Sequence, residues 1–207
     1  MALSLNKQKE KDWYSLIKQE AKAFEWKFKG WFAYKTIKDY FYEMTFSASG
    51  TNDCITGSLA FKPLIIDETF WDIVDLSDNK KMPLSFRAEG AFIVGSKDVF
   101  DFNLKVVVDD FKNVIDDLFT KANFKVEELQ SAMINLDSFA SFIEQHPNQR
   151  SEWFDKDLLI VTFIVQKEYD KALTLLEYAK RNRGRARWGF GDKDFYDLGI
   201  EYCQIYQ

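Results

Sequence analysis

The side chains of this sequence that could do chemistry are few, and their spacing matters more than their number. His146 is the sole histidine and sits beside Pro147, so any triad, dyad or histidine-based metal site would have to use it. Cys54 and Cys203 are the only cysteines. Neither stands at chelating distance in sequence from the other or from His146, which leaves zinc without a ligand set. Cys54 reads as a strand-edge residue and Cys203 as helical, positions where free cysteines act as small core hydrophobes rather than as thiol nucleophiles partnered by His146.

Carboxylates are more plentiful, and two or three converging acids can act as general acid and base or hold magnesium. Glu68, Asp72 and Asp75 fall at helical spacing, and Asp109-Asp110 with Asp116-Asp117 bracket another helix. Acids at a helix start also complement its dipole, and acids opposite an aromatic stripe are its solvated side. Glu25-Trp26-Lys27 and Asp110-Phe111-Lys112 match the acid-x-lysine fragment of some metal-dependent nucleases, but neither has a well-placed upstream acid. Gly184, Gly189 and Gly191 lack the spacing and the lysine of a phosphate loop. No cofactor, metal site or catalytic residue is therefore assigned, and a carboxylate-dependent enzyme stands as the third reading of function.

The most distinctive segment runs from Lys180 to Gly191. Lys180, Arg181, Arg183, Arg185 and Arg187 place five cations within eight residues, and Trp188 and Phe190 follow. As a site, the arginines would grip phosphates or carboxylates while an aromatic ring offers a stacking face. As plain structure, the cations would close the end of a helix, the glycines would turn the chain, and Asp192, Asp194 and Asp197 would pair with the arginines. Trp31, Phe41, Trp153 and Tyr196 fall on outward faces or in loops, where interfaces place their anchors.

These residues need a scaffold, and hydrophobic spacing supplies one. Trp13, Leu16, Ile17, Ala21 and Phe24 form one stripe of an N-terminal helix. The period then becomes two, predicting strands through Trp26–Tyr34, Tyr40–Phe46 and Ile55–Phe61, with Pro63 ending the third. A short helix follows through Phe70 and Leu76. Two further strands are predicted over Phe86–Val94 and Phe100–Val108, with Gly95 to Asp98 as their turn. From Asp109 the spacing of Phe111, Val114, Ile115, Leu118 and Phe119 is helical. Val126 to Glu144 reads as one bent helix or two short ones. Leu158 to Val165 is apolar and β-branched enough for a buried strand, yet lies between helical segments, which favours helix. A closing helix spans Lys193 to Tyr206.

The predicted fold is α+β: an N-terminal helix, a mainly antiparallel sheet of about five strands, and a helical C-terminal half. Residues 1–108 would form the helix-plus-sheet subregion and 109–207 a helical one packed on it as a single compact unit. Tyr169-Asp170-Lys171-Ala172-Leu173, followed by Leu175, Leu176 and Ala179, resembles the second helix of a tetratricopeptide-type hairpin, with Leu159 and Phe163 in the first. No second copy exists to build an array.

The chain has 207 residues and a formal net charge of −5, which disfavours generic binding to a polyanion. No apolar run is long enough to span a bilayer, the first residues lack a signal-peptide core, and two cysteines indicate no disulfide framework, so a cytoplasmic location is expected. Acidity, aromatic richness and the lack of catalytic groups are similar in general style to bacterial immunity proteins, which neutralise a toxin by binding it, although no motif is shared. The expected function is that of a non-catalytic binding protein, immunity-type or inhibitory, whose partner is another protein met through Lys180, Arg181, Arg183, Arg185, Arg187, Trp188 and Phe190. The alternative is nucleic-acid or phosphorylated-ligand binding through 180–187.

Overall fold

The computed structural model describes residues 2–106, 110–148 and 151–207; Val108 and Asp109, where a strand end and a helix start were expected, lie outside them. The fold is α+β, with an N-terminal helix, a five-stranded antiparallel sheet and a helical C-terminal half. The first elements are α1 (Ala2–Ala23), β1 (Lys27–Lys29), β2 (Phe32–Ile37), β3 (Tyr40–Ser49), β4 (Cys54–Pro63) and α2 (Leu64–Ile73). A 3-10 turn (Ser77–Lys81), α3 (Phe86–Glu89) and β5 (Lys97–Lys105) come next. The helical part comprises α4 (Phe111–Ala132), α5 (Leu136–Gln145), α6 (Glu152–Val165) and α7 (Tyr169–Asn182). A small hairpin of β6 (Gly189–Phe190) and β7 (Lys193–Asp194) leads into α8 (Phe195–Tyr206).

The sheet order β1-β2-β3-β4-β5 follows the sequence, as a meander does. Its five strands differ from those expected. The run Trp26–Tyr34 is two strands joined by a tight turn at Gly30-Trp31, with Lys29 opposite Phe32 and Phe28 opposite Ala33. A two-residue turn leaves the sequence alternation looking unbroken while moving Phe28 to the face opposite Phe32 and Tyr34.

The expected strand Phe86–Val94 is instead the short helix α3 and an irregular segment. Buried side chains, rather than a neighbouring strand, satisfy that segment's backbone. Trp71 Nε1 donates to the Phe92 carbonyl at 2.5 Å, Lys62 Nζ to the Val94 carbonyl at 2.6 Å, and Val94 N–H to Asp67 Oδ1 at 3.1 Å. Lys62 and Asp67 form an ion pair at 2.9 Å with both side chains fully buried, and Arg87 reaches Glu68 at 2.9 Å and Asp67 at 3.4 Å.

The chain divides into two compact units, residues 1–61 with 98–132 and residues 62–97 with 133–207. Helix α4 thus belongs with the sheet, and segment 62–97 belongs with the later helices. In the first unit α1 and α4 pack together and Phe119 is the central plug. Its ring lies 5.7 Å from Phe24, 6.2 Å from Trp26 and 6.2 Å from Phe46, tying α4 to α1 and to β3. In the second unit α6 and α7 form a helical hairpin and α8 packs on α7. Leu158, Ile160, Val161, Phe163 and Ile164 of α6 are all buried, which is why that segment shows no helical period in sequence.

Phe119→Ala removes a fully buried ring and should cost about 3–5 kcal/mol in denaturant unfolding. Phe124→Ala, on the same helix but 62% exposed, should stay within about 0.5 kcal/mol of wild type.

Candidate functional site

The cation-rich segment begins in the last turn of α7 and ends at the β6-β7 hairpin. Positive φ values of 86° at Gly184 and 65° at Gly191 let the chain leave the helix and turn between the two strands. Asp194 anchors the segment from the other side. Its carboxylate accepts the backbone N–H groups of Tyr196 at 2.9 Å and Asp197 at 3.2 Å, closing a capping box on α8. The same carboxylate accepts Ala186 N–H at 2.8 Å, in the middle of the loop.

Beneath the loop lies Asp157 of α6, only 3% exposed. Tyr196 donates its hydroxyl to Asp157 Oδ1 at 2.9 Å, and Arg183 Nη1 donates to Asp157 Oδ2 at 3.2 Å and to the Tyr196 oxygen at 2.9 Å. Burial pushes the Asp157 carboxyl up to about 6, against the opposing pull of Tyr196, Arg183 and Arg187. Burial, with Asp157 beside it, also raises the Tyr196 phenol well above the ordinary tyrosine range.

The structure assigns distinct surroundings to the seven residues singled out from sequence. Lys180 is exposed and ion-paired with Asp197, which raises its ammonium pKa. Arg183 is half-buried in the Asp157 cluster, its guanidinium 5.7 Å from the Trp153 ring. Trp188 is 5% exposed, its ring 4.8 Å from Phe70 and 5.8 Å from Phe195, so it faces core partners instead of offering an open stacking surface. Phe190 is half-buried with its ring 5.4 Å from Phe92. Arg181, Arg185 and Arg187 are exposed and make no ion pair among the described residues. Arg187 lies 5.7 Å from the centre of the Trp188 ring.

Of the aromatics expected to face outward, Trp31 is 55% exposed and Trp153 is half-buried, whereas Phe41 and Tyr196 are fully buried. Phe41 and its neighbour Tyr42 point to opposite faces of β3 and neither is exposed, so this central strand has no outward face for alternation to identify. Tyr196 turns inward because its hydroxyl has Asp157 and Arg183 as partners.

Beside the loop, Trp153, already singled out from sequence, forms an aromatic ledge with Tyr178, which sequence reasoning did not name. Trp153 and Tyr178 lie 6.2 Å apart, Tyr178 is 43% exposed, and Lys156 Nζ sits 5.7 Å and 5.1 Å from their ring centres. Asp157 was missed too, since Asp155-Lys156-Asp157 looks like solvated surface. Its neighbour Asp155 is buried as well, gripping Lys97 at 2.8 Å.

The remaining candidates are placed individually. His146 ends α5, with its ring 4.3 Å from that of Phe142. Cys203 is buried, which pushes its thiol up to about 11. Asp72 receives Lys80 and Ser77, and Asp116 receives Lys112. Among the described residues no three acids, cysteines or histidines converge on a metal position, and no helix is long and apolar enough to cross a membrane. No family model matches the chain, and no curated protein or solved structure matches it.

The raised Asp157 pKa has a defined sign in stability. Between its ordinary value of 3.8 and the folded value of about 6 the native state holds the extra proton, so stability falls as pH rises through that window and is level above it. The stability difference between wild type and Asp157→Asn should therefore shift against wild type by up to about 3 kcal/mol from pH 4 to pH 6.5, following about two pH units at 1.36 kcal/mol each. Denaturant unfolding of both proteins across this range measures it. Trp188→Ala should cost about 3–5 kcal/mol and release the loop, read as faster trypsin cleavage after Arg185 and Arg187 than in wild type.

Proposed function

We propose that this chain is a binding protein that recognises an acidic surface of a partner protein through Arg181, Arg185 and Arg187, flanked by Tyr178 and Trp153. One observation carries the reading: three exposed guanidinium groups without ion-pair partners among the described residues project from the last turn of α7 (Arg181) and from the loop after it (Arg185 and Arg187), which Asp194 and Trp188 hold. Holding the loop reduces the ordering entropy lost on contact, and arginine forks match carboxylates in a fixed geometry. Arginine beside half-exposed Trp and Tyr is also the residue mixture that dominates protein-interface energetics. Burial of Trp188 weighs against the nucleic-acid alternative at this loop, since single-strand binders rely on an open aromatic face.

Affinity capture from the native lysate tests it, using wild type, Arg181→Glu/Arg185→Glu/Arg187→Glu and Tyr178→Ala as baits with circular dichroism as the folding control. A protein held by wild type at fixed stoichiometry should be lost by the triple variant and weakened by Tyr178→Ala. Identical capture by all three baits, or capture of nucleic acid alone, would refute the reading.

A further inference from the structure

A second feature lies in the other unit and owes nothing to the arginine loop. Ser15, Lys18, Gln19 and Lys22 fall at i, i+3, i+4 and i+7 on α1, forming one stripe along the helix. That stripe borders the β1 edge of the sheet, and between them opens a cleft of about 660 Å³ completed by Trp26, Lys27, Phe28 and Tyr34. Its volume is within the range of small-ligand sites, roughly 300–1,000 Å³.

The lining is unusual for this chain. Acids outnumber basic residues 33 to 28, yet the lining contains none and holds three lysines. Several lysines elsewhere sit against carboxylates, among them Lys9 with Asp53, Lys80 with Asp72, Lys121 with Asp117 and Lys193 with Glu201. Lys18, Lys22 and Lys27 are exposed and have no such partner among the described residues. Like charges at i and i+4 on a helix repel, so Lys18 and Lys22 carry an unfavourable interaction that a bound anion would relieve. Lys27 is set opposite Tyr34 in the β1-β2 register, placing a cation and a ring side by side on one face.

Rings complete the chemistry. Phe28 and Tyr34 are half-buried and Trp26 is nearly fully buried. Trp26 is locked in place by its Nε1–H to Asn123 Oδ1 at 2.8 Å and by Lys35 Nζ, 4.5 Å from its ring centre. Phe28 and Tyr34 are themselves backed by Phe46 at 6.2 Å and Phe41 at 5.9 Å. Phe28 and Tyr34 lie on opposite faces of the β1-β2 pair, so the cleft offers cations for a phosphate and, in Phe28, one backed ring for a planar base.

We infer that this cleft binds a nucleotide-type ligand, its phosphate held by Lys18, Lys22 and Lys27 and its base against Phe28. The same chemistry is offered by a free mononucleotide and by single-stranded nucleic acid. Titrating the full chain with AMP, with inorganic phosphate and with fluorescein-labelled oligothymidylate tests the site and separates these sources. AMP or oligothymidylate should bind saturably and more tightly than phosphate. Three lysine contacts at a slope of roughly −0.7 each predict about a 20-fold loss of oligothymidylate affinity from 50 to 200 mM salt. Lys18→Glu/Lys22→Glu/Lys27→Glu should weaken binding by at least about tenfold with an unchanged circular dichroism spectrum. Phe28→Ala should weaken AMP while leaving phosphate unaffected, and charge reversal of Arg181, Arg185 and Arg187 should leave all three probes unaffected. Preference for AMP identifies a free nucleotide as the source and preference for oligothymidylate a single strand. No saturable binding of either, phosphate binding as tightly as AMP, or an unaffected lysine variant would overturn the inference.

Discussion

A carboxylate removed from water must be met by donors, and the second unit is organised around three that are. Asp157 meets Tyr196 and Arg183, Asp67 meets Lys62, Arg87 and the Val94 amide, and Asp155 meets Lys97. Leaving one partner of such a pair alone costs several kcal/mol, so each pair pins the backbone on both sides of it. Asp67 and Lys62 thereby hold the irregular segment after α3, which has no strand beside it to satisfy its carbonyls. Asp157 ties α6 to α8 and to the end of α7, and so fixes where the arginine loop begins.

That geometry sorts the loop's cations by role. Arg183 and Lys180 are held by carboxylates and fasten the loop to the helices. Arg181, Arg185 and Arg187 remain turned to solvent. Trp188, between Phe70 and Phe195, prevents the same short stretch from lying loose on the surface. A loop built this way presents charge at defined positions in a chain of net charge −5. The first unit reaches a similar end by different means, with Phe119 packing α1 and α4 onto the sheet and leaving the α1 lysine stripe at its edge.

Much of the architecture was legible because its signals are local. Helix α4 followed directly from the spacing of Phe111, Ile115, Leu118 and Phe119, and α8 from Phe195, Leu198 and Tyr202. The misreadings share a cause: periodicity reports one exposed and one buried face, and fails where both faces are buried or a turn preserves parity. The Gly30-Trp31 turn kept the alternation intact, Phe41 lies in a strand buried on both sides, and segment 86–94 alternates like a strand while its hydrogen bonds go to Lys62, Trp71 and Asp67. The site was half legible. A run of arginines is visible in sequence, but which of them are tethered depends on Asp157, 26 residues from Arg183 along the chain, and no local signal marks that acid as buried.

The proposed recognition through a held loop requires that the loop be formed before any partner arrives. Native-state amide hydrogen exchange across residues 183–195 measures this directly. The Ala186 amide, donated to Asp194 at 2.8 Å, and the Phe195 amide, donated to the Trp188 carbonyl at 3.1 Å, should exchange far more slowly than in an unstructured chain. Exchange of Ala186 at the unstructured rate would show that the loop is not preformed and would contradict the account.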